Sequence, residues 1–323
     1  MSRPTPAAAP DACSVLSTQA GESAYGSAAD ASSWVALEQP GPWGRVVATD
    51  SHLDPLLGAR LDAALSGAGG RFALIRRPGA HPDDDQHRGT RTVLVASVIG
   101  AGWTLRGQLA DPSELEALDV GALARGDRGQ VLASMPALAP DPTTYLLLCT
   151  NGRRDVCCAV RGRPVALAAA AARPGQVWET SHTGGHRFAP TGVLLPSGAT
   201  LARLDADLAV TALDGAAAGQ LPAVLHGPEH DRGASGLAAP ERAAVSVVRQ
   251  LTGEVGLHLL SADPAERIDA TDWRVVVRHV DGRSWPLTVS RGVLGPDRPE
   301  SCAKPAVPQV GWAATVREVN TLG

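Results

Sequence analysis

The sequence is poor in lysine, in aromatic residues and in long apolar runs. Lys304 is its single lysine, so nearly all of the 29 basic residues are arginines, and the net charge is −4. Because no cluster of basic residues stands out, the electrostatic footprint of a nucleic-acid-binding protein is absent. The apolar runs fall short of the roughly 18 residues that a membrane-spanning helix needs. We therefore expect neither nucleic acid nor membrane among the partners.

The N-terminal sequence and the number of cysteines indicate the cellular compartment of the protein. The first residues, MSRPTPAAAPDACS, lack the apolar segment of a secretory signal peptide. An odd number of cysteines without such a signal argues against a disulfide framework and favours metal binding or redox chemistry in a reducing environment. We therefore expect a cytoplasmic protein, and we predict a disordered tail over residues 1–20. The five cysteines are Cys13, Cys149, Cys157, Cys158 and Cys302.

Two successive stretches of the chain share one predicted order of elements: strand, loop, helix, strand, hairpin, helix. In the second stretch an apolar strand ends at Cys149, and an Ala-rich helix over 162–172 has Pro164 in its first turn. This order is thioredoxin-like, so the sequence predicts an α/β (α+β) fold. We predict a degenerate thioredoxin-like half over 21–135 and a ligand-bearing half over 136–225.

The last section, residues 226–323, has a different pattern. The segment 227–236, GPEHDRGASG, has the composition of a linker. A helix with Pro240 in its first turn and Gly253 after its end follows. Two apolar segments then flank the dipeptide Asp281-Gly282, which is a strong hairpin signal. These features predict a small α+β module.

Two short segments hold the residues most suited to bind a metal. CTNGRRDVCC (149–158) and WETSHTGGHRF (178–188) supply two thiols and two imidazoles, and an S2N2 set suits zinc or an iron–sulfur cluster. Gly184 and Gly185 disfavour a helix and allow the loop to bring both histidines to one point. Spacing alone is equally compatible with two solvated loop histidines. The candidate ligands, called the predicted ligands below, are Cys149, Cys158, His182 and His186.

These segments carry a resemblance that extends along most of the chain. The patterns C-T-x-G-x-R-D-x-x-C-x-x-x-G-x-P and W-E-x-S-H-x-G-G-H-R-F-A, followed by L-P-x-G, resemble the sucrase/ferredoxin-like family. The two cysteine and histidine blocks are the specific part of the resemblance. Supporting matches are Cys13-Ser14, Glu38, Pro40, Trp43, Arg232-Gly233, Glu241, Arg249 and Ser301-Cys302.

The resemblance implies a thioredoxin-like ferredoxin that binds one [2Fe–2S] cluster through the predicted ligands, with Cys157 at a non-ligand position. Neutral histidines in place of thiolates raise the potential of such a cluster: Rieske centres lie at roughly −150 to +300 mV, against about −400 mV for plant-type ferredoxins. Imidazole nitrogens that reach solvent would couple reduction to proton uptake. Glu179, Thr183 and Arg187 are candidate partners of these nitrogens. We expect an electron carrier with an unidentified redox partner protein, not an enzyme.

Two alternatives use the same residues differently. The predicted ligands could hold zinc in a structural or interaction module. Alternatively, Cys149, Cys157 or Cys158 could act in a thiol oxidoreductase, although the C-x-x-C motif of that class is missing. We expect Cys13 and Cys302 to be free thiols. Two further histidine pairs, His226 with His230 and His81 with His87, are better explained as polar loops.

Overall fold

The computed structural model of the protein describes residues 9–79 and 89–317. In this part of the chain, strands form a ten-stranded mixed sheet, a five-stranded antiparallel sheet and a two-stranded ribbon. The predicted α/β (α+β) class is confirmed. No helix of the described residues is long and apolar enough to cross a membrane. The acidic loop with His81 and His87 lies outside the described residues.

The elements have the following bounds. The helices are α1 (Cys13–Gln19), α2 (Val47–Asp50), α3 (Pro55–Gly67), α4 (Val120–Ala124), α5 (Arg128–Ser134), α6 (Val156–Ala172), α7 (Ala206–Ala217) and α8 (Ala239–Thr252). The strands are β1 (Ser33–Glu38), β2 (Gly70–Arg76), β3 (Arg91–Ser97), β4 (Trp103–Leu109), β5 (Leu138–Pro140), β6 (Tyr145–Cys149), β7 (Val177–Thr180), β8 (Gly192–Leu195), β9 (Ala199–Leu201), β10 (Asp231–Ala234), β11 (Leu260–Ala262), β12 (Glu266–Arg267), β13 (Asp272–His279), β14 (Ser284–Val293), β15 (Arg298–Pro299), β16 (Ala306–Val307) and β17 (Val310–Val316).

The ten-stranded sheet consists of two halves with the same strand order. The first half is ordered β2-β1-β3-β4 and the second β7-β6-β8-β9. In the first half β1 is parallel to β2, and β3 is antiparallel to β1 and β4. In the second half β6 is parallel to β7, and β8 is antiparallel to β6 and β9. Strands β2 and β7 pair antiparallel where the halves meet. The halves therefore share one continuous sheet, with β6 and β7 near its centre.

Strand β6 is covered on both faces, as its uninterrupted apolar sequence predicts. Leu146 and Leu148 pack on one face with residues of α6 and α7. Tyr145 and Leu147 pack on the other face with large apolar residues that include Trp178. The strand that carries Cys149 is thus held rigidly from both sides.

Three predicted boundaries are wrong. The proposed disordered tail contains α1, where Cys13, Ser14 and Ser17 are buried. Helix α6 begins at Val156, six residues earlier than predicted, because Asp155 caps it, and Pro164 therefore lies inside the helix. The predicted linker contains β10, which pairs with β9 and extends the large sheet. The linker prediction rested on the composition of 227–236, which is rich in small and polar residues.

In the C-terminal part, helix α8 and the hairpin of β13 and β14 lie where the sequence predicts them. Helix α8 ends at Gly253, whose φ of 70° is the left-handed conformation that glycine adopts readily. Strands β13 and β14 form the hairpin around Asp281-Gly282. The apolar face of α8 packs on these strands, and the contacts include Val248, Val275 and Leu287.

Candidate metal centre

Cys149 and His182 are brought together by two adjacent parallel strands. Cys149 is the last residue of β6 and is in register with Thr180, the last residue of β7. The carboxyl ends of parallel strands meet at one edge of a sheet. His182 follows two residues after Thr180, so the chain leaves both strands at the same place. The strand pairing therefore positions one thiol beside one imidazole.

The second histidine returns to the site through a left-handed turn. Gly184 and Gly185 have φ values of 78° and 68°, and His186 begins a short 3-10 helix. Nδ1 of His186 lies 3.4 Å from Sγ of Cys158. The rings of His182 and His186 are stacked with their centroids 5.0 Å apart. The turn at the two glycines thus places the two imidazoles side by side, and their role as ligands stays a prediction.

Cys158 lies in the first turn of α6. Asp155 accepts a hydrogen bond from the backbone N–H of Cys157 at 2.8 Å and so caps the helix. The helix also packs closely on β6, since a Cβ on Gly162 would lie 2.5 Å from the carbonyl oxygen of Cys149. Glycine is therefore required there.

Cys149, His182 and His186 have protonation states that suit metal ligands, whereas Cys158 must lose its proton to bind a metal. A hydrogen bond with Cys158, assisted by His182, holds the pKa of Cys149 well below its ordinary value despite burial. The same hydrogen bond, together with burial, raises the pKa of Cys158. Burial lowers the pKa of His182 and of His186, so both imidazoles are neutral at pH 7. The centre thus offers a thiolate, a thiol and two neutral imidazoles.

A buried arginine supports the histidine loop. Arg232 in β10 is fully buried, and it donates hydrogen bonds to the carbonyl oxygen of Gly184 at 3.1 Å and to Oγ of Ser27 at 3.0 Å. Burial, reinforced by Arg187 and Arg242, lowers the pKa of Arg232 to about 9. The arginine lies in the segment that the sequence predicts to be a linker, and only the resemblance singled it out.

The proposed partners of the outer imidazole nitrogens form their hydrogen bonds elsewhere, which corrects that expectation. Glu179 accepts from Arg76 and Thr150, Thr183 bonds to Thr191, and Arg187 donates to Glu22. Nδ1 of His182 instead accepts from the backbone N–H of Gly184 at 3.4 Å. The loop's own backbone therefore orients this imidazole.

A second group of donors lies beside the predicted ligands and was missed by sequence reasoning. Cys13, Asp155, Cys157 and Cys302 place one donor atom each within 4.8 Å of all the others, so this group could bind a metal ion. Cys13 and Cys302 are free thiols, as predicted, but they are not isolated. Because 289 residues separate them, no spacing motif could reveal the group. In the described residues, no three of the predicted ligands meet the same 4.8 Å condition.

A cavity of about 430 Å³ opens over the two histidines. Both imidazoles are half-buried, whereas Cys149 and Cys158 are each only 1% exposed. The histidine side of the centre therefore faces the exterior. The charged residues that line the cavity are Arg45, Arg154, Arg187, Lys304 and Glu300.

The remaining described histidine pair does not form a site. Nε2 of His226 contacts the carbonyl oxygen of Leu221 at 2.8 Å, and Nδ1 of His230 contacts that of Ala202 at 3.0 Å. The two side chains thus serve separate backbone contacts. This arrangement agrees with the interpretation of the segment as a polar loop.

Comparison with known proteins identifies the family. The family model described as sucrase/ferredoxin-like matches residues 24–217, which include all four predicted ligands. The chain therefore belongs to the sucrase/ferredoxin-like family. No curated protein and no solved structure matches it. Cys13 and Cys302 lie outside the matched segment.

Proposed function

We propose that this protein is an electron carrier that holds a [2Fe–2S] cluster through Cys149, Cys158, His182 and His186. The observation that carries the proposal is the convergence of these four side chains from the ends of two parallel strands, the first turn of α6 and a glycine-hinged loop. Two thiols and two neutral imidazoles are a recognised donor set for this cofactor, since His₂ replaces Cys₂ on one iron in Rieske centres.

The spread of the donors favours a two-iron centre over a single zinc ion. Cys158 lies against His186, and Cys149 lies against His182 and Cys158. His182 and His186 are stacked, so the contacts among the four side chains close into a ring. Four ligands of one tetrahedral ion would all be about 4 Å or less apart. No three of these donors in the described residues lie within 4.8 Å of one another, so the set is wider than one tetrahedral ion needs, and this spacing together with the family membership supports a cluster over zinc.

A bound cluster would supply one-electron exchange, and the chain would determine its potential and access. The imidazoles are neutral, so they add less negative charge than thiolates, and we expect a potential above that of all-cysteine ferredoxins. The half-buried histidines border the cavity and would give a partner access to the cluster. If their outer nitrogens exchange protons with solvent, reduction would be coupled to proton uptake. No acid–base pair is needed, so we propose a carrier and not an enzyme.

The charge around the cavity suggests the kind of redox partner. Four cations and one carboxylate line the cavity, although the whole chain has a net charge of −4. Lys304 is paired with Glu300 at 2.6 Å, and Arg187 with Glu22 at 2.6 Å. Arg45 and Arg154 therefore contribute most of the unbalanced positive charge. We propose that an acidic surface of a partner protein docks here, with association that weakens as salt increases.

Substitution of single ligands tests the assignment. Cys158→Ser and His182→Ala should each lose most of the iron and sulfide, because each removes a ligand. His226→Ala is the matched control, since His226 belongs to the other H-x3-H segment and its ring forms a hydrogen bond with the backbone carbonyl of Leu221. Iron and sulfide would be determined on anaerobically purified full-length protein. Retention of a full cluster by His182→Ala would contradict the proposed ligand set.

A further inference from the structure

The thiols of Cys13, Cys157 and Cys302, called the three-thiol group below, form a closed triangle. The Sγ–Sγ distances are 3.7 Å between Cys13 and Cys157, 3.2 Å between Cys157 and Cys302, and 3.6 Å between Cys302 and Cys13. Thiolates about 2.3 Å from a tetrahedral zinc ion lie about 3.8 Å apart. The triangle therefore needs only a slight expansion to receive one ion.

Asp155 completes the donor set and is fixed in place. Its Oδ1 accepts from the N–H of Cys157 at 2.8 Å, and its Oδ2 accepts from Oγ of Ser301 and the N–H of Cys302, both at 2.7 Å. Oδ2 accepts two of these bonds and Oδ1 accepts one, so Oδ1 has a lone pair for a metal once the Cys13 thiol, which also points to it, has lost its proton. The carboxylate lies 3.6 to 3.8 Å from Sγ of Cys13. Oδ1 is thus available as a fourth ligand.

We propose that Cys13, Cys157, Cys302 and Asp155 bind one zinc ion in a structural site separate from the [2Fe–2S] ligands. Three thiolates select a thiophilic ion, and a full set of four protein donors is typical of structural zinc. Binding requires thiolates, so zinc entry releases the thiol protons to solvent. The site does not depend on the proposed electron-transfer function.

The position of the three-thiol group indicates what the ion would do. Cys13 lies on α1, Cys157 on α6, and Cys302 shortly after β15, so the donors come from near both ends of the described chain and from its centre. Zinc would therefore fasten α1 and the C-terminal segment onto α6. Since Cys157 precedes Cys158, the ion would also stabilise the turn that presents a cluster ligand. An ion that binds only the folded protein raises its stability by mass action.

Zinc titration of metal-free protein tests this proposal. The test uses full-length His182→Ala, which lacks a complete set at the first centre, after reduction and removal of metals by a chelator. We expect one zinc ion to bind in competition with a chromophoric chelator, and X-ray absorption at the zinc edge to show three sulfur neighbours and one oxygen. Adding Cys302→Ser should weaken zinc binding by more than the 10- to 100-fold typical of an outer-shell change.

Controls separate this proposal from the proposed function. Cys13→Ser provides a second variant in case Cys302→Ser folds poorly, and Cys149→Ser should leave the zinc affinity of His182→Ala unchanged. The proposal is overturned if zinc has two sulfur neighbours and a nitrogen neighbour, which would place it at Cys149, Cys158 and His186, if no zinc binds, or if the reduced protein reoxidises to a Cys157–Cys302 disulfide that zinc does not prevent. Iron and sulfide in the protein as purified report on the cluster independently.

Discussion

Arg76 and Glu179 form a buried ion pair where the two halves of the large sheet meet. They are direct partners in the antiparallel pairing of β2 and β7, with Nη2 of Arg76 2.6 Å from Oε2 of Glu179. Their side chains are 6% and 5% exposed. Thr150, the residue after Cys149, donates to the same carboxylate oxygen at 2.8 Å. The ion pair thus links the first half to the loop that leaves the metal centre.

Removal of Arg76 should destabilise the protein strongly. Arg76→Met leaves the buried Glu179 carboxylate without a counterion, and such changes cost about 3–5 kcal/mol. The free energy of unfolding in urea would measure the loss. The double variant Arg76→Met/Glu179→Gln removes the buried charge and keeps an acceptor for Thr150, so it should recover much of the stability.

An exposed ion pair provides the control for this effect. Arg60 and Glu116 are 2.7 Å apart, but their side chains are 57% and 44% exposed. Water replaces the lost partner at such a site, so Arg60→Met should leave the urea midpoint unchanged. An equal loss in both single variants would show that burial of the Arg76–Glu179 pair is not the cause.

Gly185→Ala should disrupt the histidine loop. The φ of 68° is unfavourable for alanine, and the new Cβ would lie 2.4 Å from Nη2 of the buried Arg232. We expect a loss of stability of about 2–4 kcal/mol from backbone strain and overpacking together, with a lower iron content. Urea unfolding and iron analysis of the same preparation would measure both effects.

Gly21→Ala is the matched control for backbone strain. Gly21 has a similar φ of 58°, but nothing lies within 4 Å of its Cβ position. This variant should lose about 1–2 kcal/mol and keep its full complement of iron. If Gly21→Ala and Gly185→Ala lost the same stability and the same amount of iron, the close contact between Gly185 and Arg232 would not be needed for the metal centre.

Exchange of a histidine for a cysteine should lower the reduction potential. His182→Cys places a thiolate where the neutral imidazole was. Its negative charge would stabilise the oxidised cluster relative to the reduced cluster. We expect a cluster that is retained but has a potential lower by roughly 100 mV or more, given the separation of Rieske and all-cysteine centres. Spectroelectrochemical titration beside wild-type protein would measure it. An unchanged potential in an intact cluster would mean that residue 182 is not a ligand.

Much of the fold could be predicted because apolar periodicity and turn residues report local structure. The strand ending at Cys149, the glycine-hinged histidine loop and the hairpin at Asp281-Gly282 all follow from short segments. Helix α1 was missed, because it is short and is held by distant contacts around Cys13. The early start of α6 was missed because the capping carboxylate of Asp155 is also held by Ser301 and Cys302, far along the chain.

The candidate centre also has one part that the sequence predicts and another part that it does not. Cys149, Cys158, His182 and His186 are close in sequence within two blocks, so a spacing pattern could suggest them. The three-thiol group and the support that Arg232 gives to Gly184 depend on tertiary packing between distant segments, and Gly184 and Arg232 are 48 positions apart. Sequence patterns identify donor types, but only the fold shows which distant donors meet.

The most direct test of the central claim is the visible spectrum of anaerobically purified full-length protein, with iron and acid-labile sulfide measured on the same sample. The account predicts a red-brown protein with about two iron and two sulfide per chain, bleached by dithionite. Zinc in the three-thiol group would be compatible with that result. A colourless protein without iron or sulfide, in which zinc occupies Cys149, Cys158, His182 and His186, would contradict the proposed electron carrier.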